Sequence, residues 1–196
     1  MVFSRGYVQV YTGNGKGKTT AAIGLAVRAL GAGKKVLFLQ FMKDKAYSEH
    51  NILPKISPNL KLHTLGKPFF VARKEDLDSE TLERWEGKCV FFEPGKPPQE
   101  YLDLMKQGLD MALDGVISGE YDLVVLDEIN VAVYFELIKV DDVVKLIKRK
   151  GPQVELVLTG RNCPQAVMDL ANLVTEMREI KHYYKEGVEA RIGIEN

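Results

Sequence analysis

The chain is poor in cysteine. Only Cys89 and Cys163 occur, far apart and in no CxxC pair. That excludes a disulfide framework or a zinc ribbon and leaves a reducing cytoplasm as the expected setting. Charge of one sign is not in excess either, since 27 Lys and Arg stand against 27 Asp and Glu. A neutral molecule offers no long-range field to a nucleic-acid backbone or an anionic membrane. Neither is expected as a partner, and any polyanion must be met by a local site. Long apolar runs are missing as well. No stretch approaches the ~18–20 apolar residues of a membrane span, and residues 1–7 hold no apolar signal-peptide core. Repeats, low-complexity tracts and linkers are absent, so the 196 residues read as one domain (1–196), long enough to bury its own core.

What is present is an alternation of apolar strands and helices. Residues 6–11 (GYVQVY), 35–41 (KVLFLQF), 60–65 (LKLHTL), 121–126 (YDLVVL) and 154–159 (VELVLT) read as strands. Residues 18–30 (KTTAAIGLAVRAL), 98–118 and 140–150 read as helices, the first closed by Gly31 and Gly33. A further helix starts at Pro164 and ends near Asn172, and residues 174–182 and 190–195 close the chain. Residues 66–98, with Pro68, Pro94, Pro97 and Pro98 among charges and aromatics, read as less regular. Continuous apolar strands separated by helices predict an α/β fold with a mostly parallel sheet flanked by helices on both faces.

Between the first strand and the first helix lies a glycine-rich loop: Thr12, Gly13, Asn14, Gly15, Lys16, Gly17, Lys18, Thr19 and Thr20. A strand–loop–helix setting is what a phosphate loop requires. Its glycines let backbone N–H groups turn toward phosphate oxygens, and the helix N-terminus adds its positive dipole end. The loop predicts binding of a nucleotide triphosphate, ATP with Mg²⁺. Lys18 would reach the outer phosphates, Thr19 would ligate the ion, and Asn14 and Lys16 would add contacts from the rim. Counted back from Gly17, the first glycine of GxxxxGK[ST] falls at Thr12. A turn that uses glycine only for packing is the structural alternative. The run Leu123-Val124-Val125-Leu126 then delivers Asp127 and Glu128 to a strand end, the edge where open α/β sheets bind ligands. One of the two would hold Mg²⁺ directly or through water; capping the next segment is the alternative.

Four segments together resemble the P-loop ATP:corrinoid adenosyltransferases: residues 12–22 (TGNGKGKTTAA), 124–130 (VVLDEIN), 158–161 (LTGR), and 174–182 (VTEMREIKH) continuing to 187–194 (GVEARIGI). The GNGKGKTT loop preceded by threonine is itself a mark of that family. The resemblance covers about the first 40 residues and everything from about residue 122; residues 46–119 depart from the pattern. It implies a RecA-like P-loop nucleotide-binding fold and transfer of the 5′-deoxyadenosyl group of ATP to a Co(I) corrinoid, such as cobalamin or cobinamide, with inorganic triphosphate released. Lys18, Lys16 and Glu128 become the candidate catalytic residues. A tryptophan and a phenylalanine of the family's central region meet the corrin ring, and the nearest equivalents here are Phe69 and Phe70. The resemblance also implies a homodimer, with a flavoprotein as a source of the reducing electron.

The remaining polar residues divide. Arg161, at the end of the 154–159 strand, reads as a ligand for phosphate, ribose or a corrinoid carboxylate, or equally as a structural ion pair. Arg28 reads as a snorkelling surface arginine, His182 as structural, and His50 and His63 as solvent-facing. The rival functions are a RecA-like ATPase with Glu128 polarising water, a small-molecule kinase, and a nucleotide-dependent binding protein.

Overall fold

A computed structural model describes residues 4–44, 47–67, 70–73, 83, 89–93 and 96–195. In chain order its elements are β1 (Val8–Thr12), α1 (Lys18–Gly31), β2 (Val36–Phe41), a 3-10 turn (Ser48–Asn51), α2 (Leu53–Ile56), β3 (Leu60–Leu65), β4 (Phe70–Arg73), β5 (Cys89–Phe92), α3 (Gln99–Ile117), β6 (Leu123–Asp127), α4 (Ile129–Tyr134), α5 (Val140–Arg149), β7 (Glu155–Thr159), α6 (Gln165–Met168), β8 (Leu173–Glu176) and a closing 3-10 turn (Tyr183–Glu186). Six strands form one sheet in the order β3-β2-β6-β7-β1-β8, and every pairing is parallel. The predicted α/β architecture is present.

The period of two along each strand divides the core between the faces. On one face Val36, Phe38, Leu123, Val125 and Val157 pack with Ala22, Ala26 and Leu30 of α1. On the other, Leu37, Leu39, Phe41, Val124, Leu126, Leu156 and Leu158 meet Met105 and Ala112 of α3, Ile129 of α4, and Val143 and Leu146 of α5. Strands β2 and β6 are buried along their whole length, which is why they read as unbroken apolar runs. Ala22 and Ala26 of α1 have no solvent exposure, so the helix lies close on the sheet.

This topology places the site. The chain leaves β1, which sits between β7 and β8, and crosses to β2 on the far side of β6. In a parallel sheet all C-terminal ends lie at one edge, and a crevice opens there where the strand order reverses. Thr12, Asp127 and Thr159 are the last residues of β1, β6 and β7, so the crevice forms around them.

Three segments differ from expectation. The less regular 66–98 stretch contains β4 and β5, paired in parallel as a two-stranded sheet. Helix α4 follows directly after Glu128, where no helix was predicted. The helix expected to run to Asn172 stops at Met168. There Leu170 and Ala171 make tight i to i−3 bonds, and the Asn172 backbone exchanges the helix for Val8 of β1. Among the described residues no helix is long and apolar enough to cross a membrane.

Candidate functional site

The loop between β1 and α1 is shaped from outside. Gly13 is left-handed (φ 91°), and a Cβ there would fall 2.4 Å from the Met177 carbonyl oxygen; only glycine combines that conformation with that approach. Met177 follows β8, donates its N–H to Thr12 O at 2.8 Å and accepts the Gly15 N–H at 2.7 Å. The 174–182 segment therefore holds the phosphate loop in shape. The Gly15 N–H, donated to Met177, is therefore not among the loop N–H groups that could turn toward a phosphate. Thr12 is likewise turned away, its hydroxyl accepting the Cys163 N–H at 3.4 Å.

Helix α1 follows Gly17 as its N-cap, with no side-chain cap and no acidic residue in its first turn. Its first N–H groups are thus left for an incoming anion, aided by the helix dipole. Lys18 is buried and donates to Gly13 O at 2.7 Å and Gly15 O at 2.8 Å. Its ammonium is held against the loop carbonyls at the mouth of the helix. Burial pushes it below the ordinary lysine value; Glu128 opposes the shift and Arg161 adds to it.

Asp127 is the hub of the acidic side. It has no solvent exposure and accepts from Thr19 Oγ1 (3.0 Å), Gln40 Nε2 (3.2 Å), Lys43 Nζ (2.9 Å) and Thr159 Oγ1 (2.7 Å). Thr159 also accepts the Glu128 N–H at 3.0 Å, so the end of β7 fixes both Asp127 and the Glu128 that follows β6. Glu128 itself is left-handed (φ 61°) and lines the cleft. Burial first, and then the neighbouring Asp127 charge, raise its carboxyl above the usual range, with Lys43, Lys18 and Arg161 opposing.

The cleft has a volume of about 490 Å³ and takes in loop residues 14–20, Lys43, Tyr47, Glu128, Arg161, His182 and the 193–195 tail. Arg161 thus stands at the cleft, as does His182. Lys16 is turned outward, 2.8 Å from Glu195 Oε1 and 3.2 Å from the Tyr183 hydroxyl. Glu195 also receives the Arg191 N–H at 2.8 Å, so the tail is tied down over the loop rim. Arg28 is exposed, as expected, and so is His63. His50 is not solvent-facing: its Nε2 lies 2.5 Å from Gln40 Oε1, because β2 carries Gln40 to the same edge as Asp127. Phe69 lies outside the described residues; Phe70 opens β4.

The donor set suits a hard divalent ion shared with phosphates. Thr19 and Asp127 bring two oxygens together at 3.0 Å, with Glu128 beside them, and the Lys43 ammonium touching both groups shows that the spot attracts a cation. Among the described residues no group of three or more His, Cys, Asp or Glu could hold a metal ion.

Sequence reasoning missed Gln40 and Lys43, and it gave Thr159 and the 193–195 tail no role of their own although 158–161 and 187–194 stood among the resembling segments. Gln40 had a signal, as the one amide in the apolar run VLFLQF; a buried polar group needs a partner. Lys43, two residues beyond β2, had none.

The family model described as ATP:corrinoid adenosyltransferase BtuR/CobO/CobP matches residues 4–196. The chain is 32% identical over 192 residues to the corrinoid adenosyltransferase of Escherichia coli (strain K12), covering 97% of this chain and 86% of that protein. The corrinoid adenosyltransferase CobA of Salmonella typhimurium is 31% identical with the same coverage, 97% and 86%, and that of Pseudomonas aeruginosa 30%, with 97% and 84% covered. Among solved structures, the flagellar accessory protein FlaH of Methanocaldococcus jannaschii superposes with a TM-score of 0.50 at 14% identity, over 88% of this chain and 71% of that one. That likeness concerns the fold alone. With the loop, the acidic strand end and a match along nearly the whole chain, this protein belongs to the ATP:corrinoid adenosyltransferase family.

Proposed function

We propose that this cleft binds MgATP and transfers its 5′-deoxyadenosyl group to a Co(I) corrinoid. The observation that carries the reading is the meeting of an uncapped helix N-terminus and Lys18 with the Asp127–Thr19 pair, on a chain of this family. The Co(I) electron pair forms the cobalt–carbon bond at C5′. The C5′–O bond breaks, and its pair leaves with inorganic triphosphate. No proton moves in that step, so no general base is required, and His182 keeps a structural role. What the protein must do is stabilise charge growing on the leaving group. Lys18, the first N–H groups of α1 and Arg161 would be the donors, joined by Lys16 once it leaves Glu195. Thr19, Asp127 and Glu128 would hold Mg²⁺, which shields the triphosphate when bound.

Residues 1–196 act as one domain, since both faces of one sheet carry its core. Phe69 and Phe70 belong to the corrin face. A reduced flavoprotein supplies the electron that Co(I) demands. A second copy of the chain covers the exposed apolar residues Leu173, Val174, Ile180 and Ile192. The unpaired cysteines suit a reducing cytoplasm.

Product analysis tests the reading. Under reducing, oxygen-free conditions with cob(I)alamin, the protein should convert ATP to triphosphate and an adenosylated corrinoid in equal amounts. ADP with phosphate would instead identify an ATPase, ADP with a phosphorylated acceptor a kinase, and intact ATP a binding protein.

A further inference from the structure

Lys43 already stands where the site would place a metal. Its Nζ lies 2.9 Å from Asp127 Oδ2 and 3.1 Å from Thr19 Oγ1, the two groups assigned above to a divalent ion. The position is built rather than incidental. Met42 turns left-handed (φ 59°) and donates its N–H to Leu65 O at 2.8 Å, which aims the next residue into the cleft. Gly66 packs so closely that a Cβ there would fall 2.4–2.6 Å from the Lys43 backbone. The Tyr47 ring centroid is 5.0 Å from Nζ, and the Lys43 side chain is only 11% exposed.

A carboxylate with no solvent exposure requires a counter-charge, and Lys43 is the cation in contact with Asp127. A magnesium ion bonds oxygen at about 2.0–2.1 Å, so on these two oxygens it would press against Nζ. Two cations cannot share the place.

We propose that Lys43 is the resident cation of the Asp127–Thr19 pair, excluding free divalent ions from the nucleotide-free protein and moving onto the triphosphate when metal and nucleotide enter together. Metal then arrives as the nucleotide complex, and the leaving group gains one more positive partner. The inference rests on Asp127 and Thr19 being the metal position.

Mn²⁺ titration of nucleotide-free protein, followed by electron paramagnetic resonance, tests it. Wild type and Lys43→Arg should bind Mn²⁺ weakly, and Lys43→Met about 10-fold more tightly because the competing charge is gone. Adding Asp127→Asn to Lys43→Met should remove the gain. Unchanged Mn²⁺ affinity in a folded Lys43→Met variant overturns the role of Lys43. A gain that survives Asp127→Asn overturns the metal position instead. Should Lys43→Met fail to fold, wild-type protein labelled with ¹⁵N-lysine decides the matter. The hydrogen-bonded Lys43 ammonium resonance, identified by its loss in Lys43→Arg, should persist in Mg²⁺ and shift with MgATP. Displacement by Mg²⁺ alone, or no response to MgATP, contradicts the proposal.

Discussion

At Glu128 the backbone adopts a left-handed turn (φ 61°), and burial together with Asp127 holds the carboxyl above its usual range. The unfolded chain ionises this group near its ordinary value, about 4.3, while the folded chain still keeps the proton. Between the two values the native state binds more protons, so stability falls as pH rises from the unfolded value through the folded one. Glu128→Gln removes that loss. Its melting temperature should exceed that of wild type at neutral pH, by about 2–4 °C for each kcal/mol recovered, and the difference should vanish below the ordinary carboxylate range. Equal melting temperatures at both pH values would contradict the burial argument. At this scale the sequence was legible where a motif specifies its own backbone. Lys18, Thr19, Asp127 and Glu128 could be read because a loop and a strand end are local. Gln40 and Thr159 could not, since their contact with Asp127 depends on β2 and β7 flanking β6 in a particular register.

At the scale of elements, α3 shows how closely a helix can lie on the sheet. A Cβ at Gly108 would fall 2.5 Å from Leu65 Cδ1 and 2.6 Å from Phe41 Cε1. Gly24 on α1 has open space around it. Alanine favours a helix over glycine by about 1 kcal/mol at either site, but at Gly108 the ring of fully buried Phe41 must move, at a cost of about 1–3 kcal/mol. Gly24→Ala should therefore raise the denaturation midpoint, and Gly108→Ala should lower it. A rise for both in chemical denaturation would mean that α3 stands off the sheet. The strands and long helices were legible because burial on both faces, or an apolar stripe, leaves a periodic trace. Helix α4 left little: its six residues are as apolar as the strand before them, and the Asp127–Glu128 pair between the two read first as a metal site and only alternatively as a cap. The pairing of β4 with β5 joins segments separated by a charged stretch, and no local pattern announces a contact between them.

For the whole molecule, neutral overall charge, a parallel sheet and the cleft at its C-terminal edge concentrate the chemistry at the crevice. The fold and the nucleotide side were legible because the phosphate loop couples a sequence motif to a topology. The corrinoid side was not, because an apolar floor under a flat ring needs no fixed residue spacing. The central claim is that the bond broken in ATP is C5′–O and that both phosphoanhydride linkages survive. An ATP analogue with an imido bridge between the β and γ phosphates tests this most directly, with cob(I)alamin under strongly reducing, oxygen-free conditions. The corrinoid spectrum and phosphorus NMR are followed together. The account predicts an adenosylated corrinoid and release of the intact bridged triphosphate, because no β,γ cleavage is needed. Tight binding of the analogue without adenosyl transfer, while ATP itself yields ADP, would contradict it, since a phosphoryl-transferring enzyme must cleave that linkage.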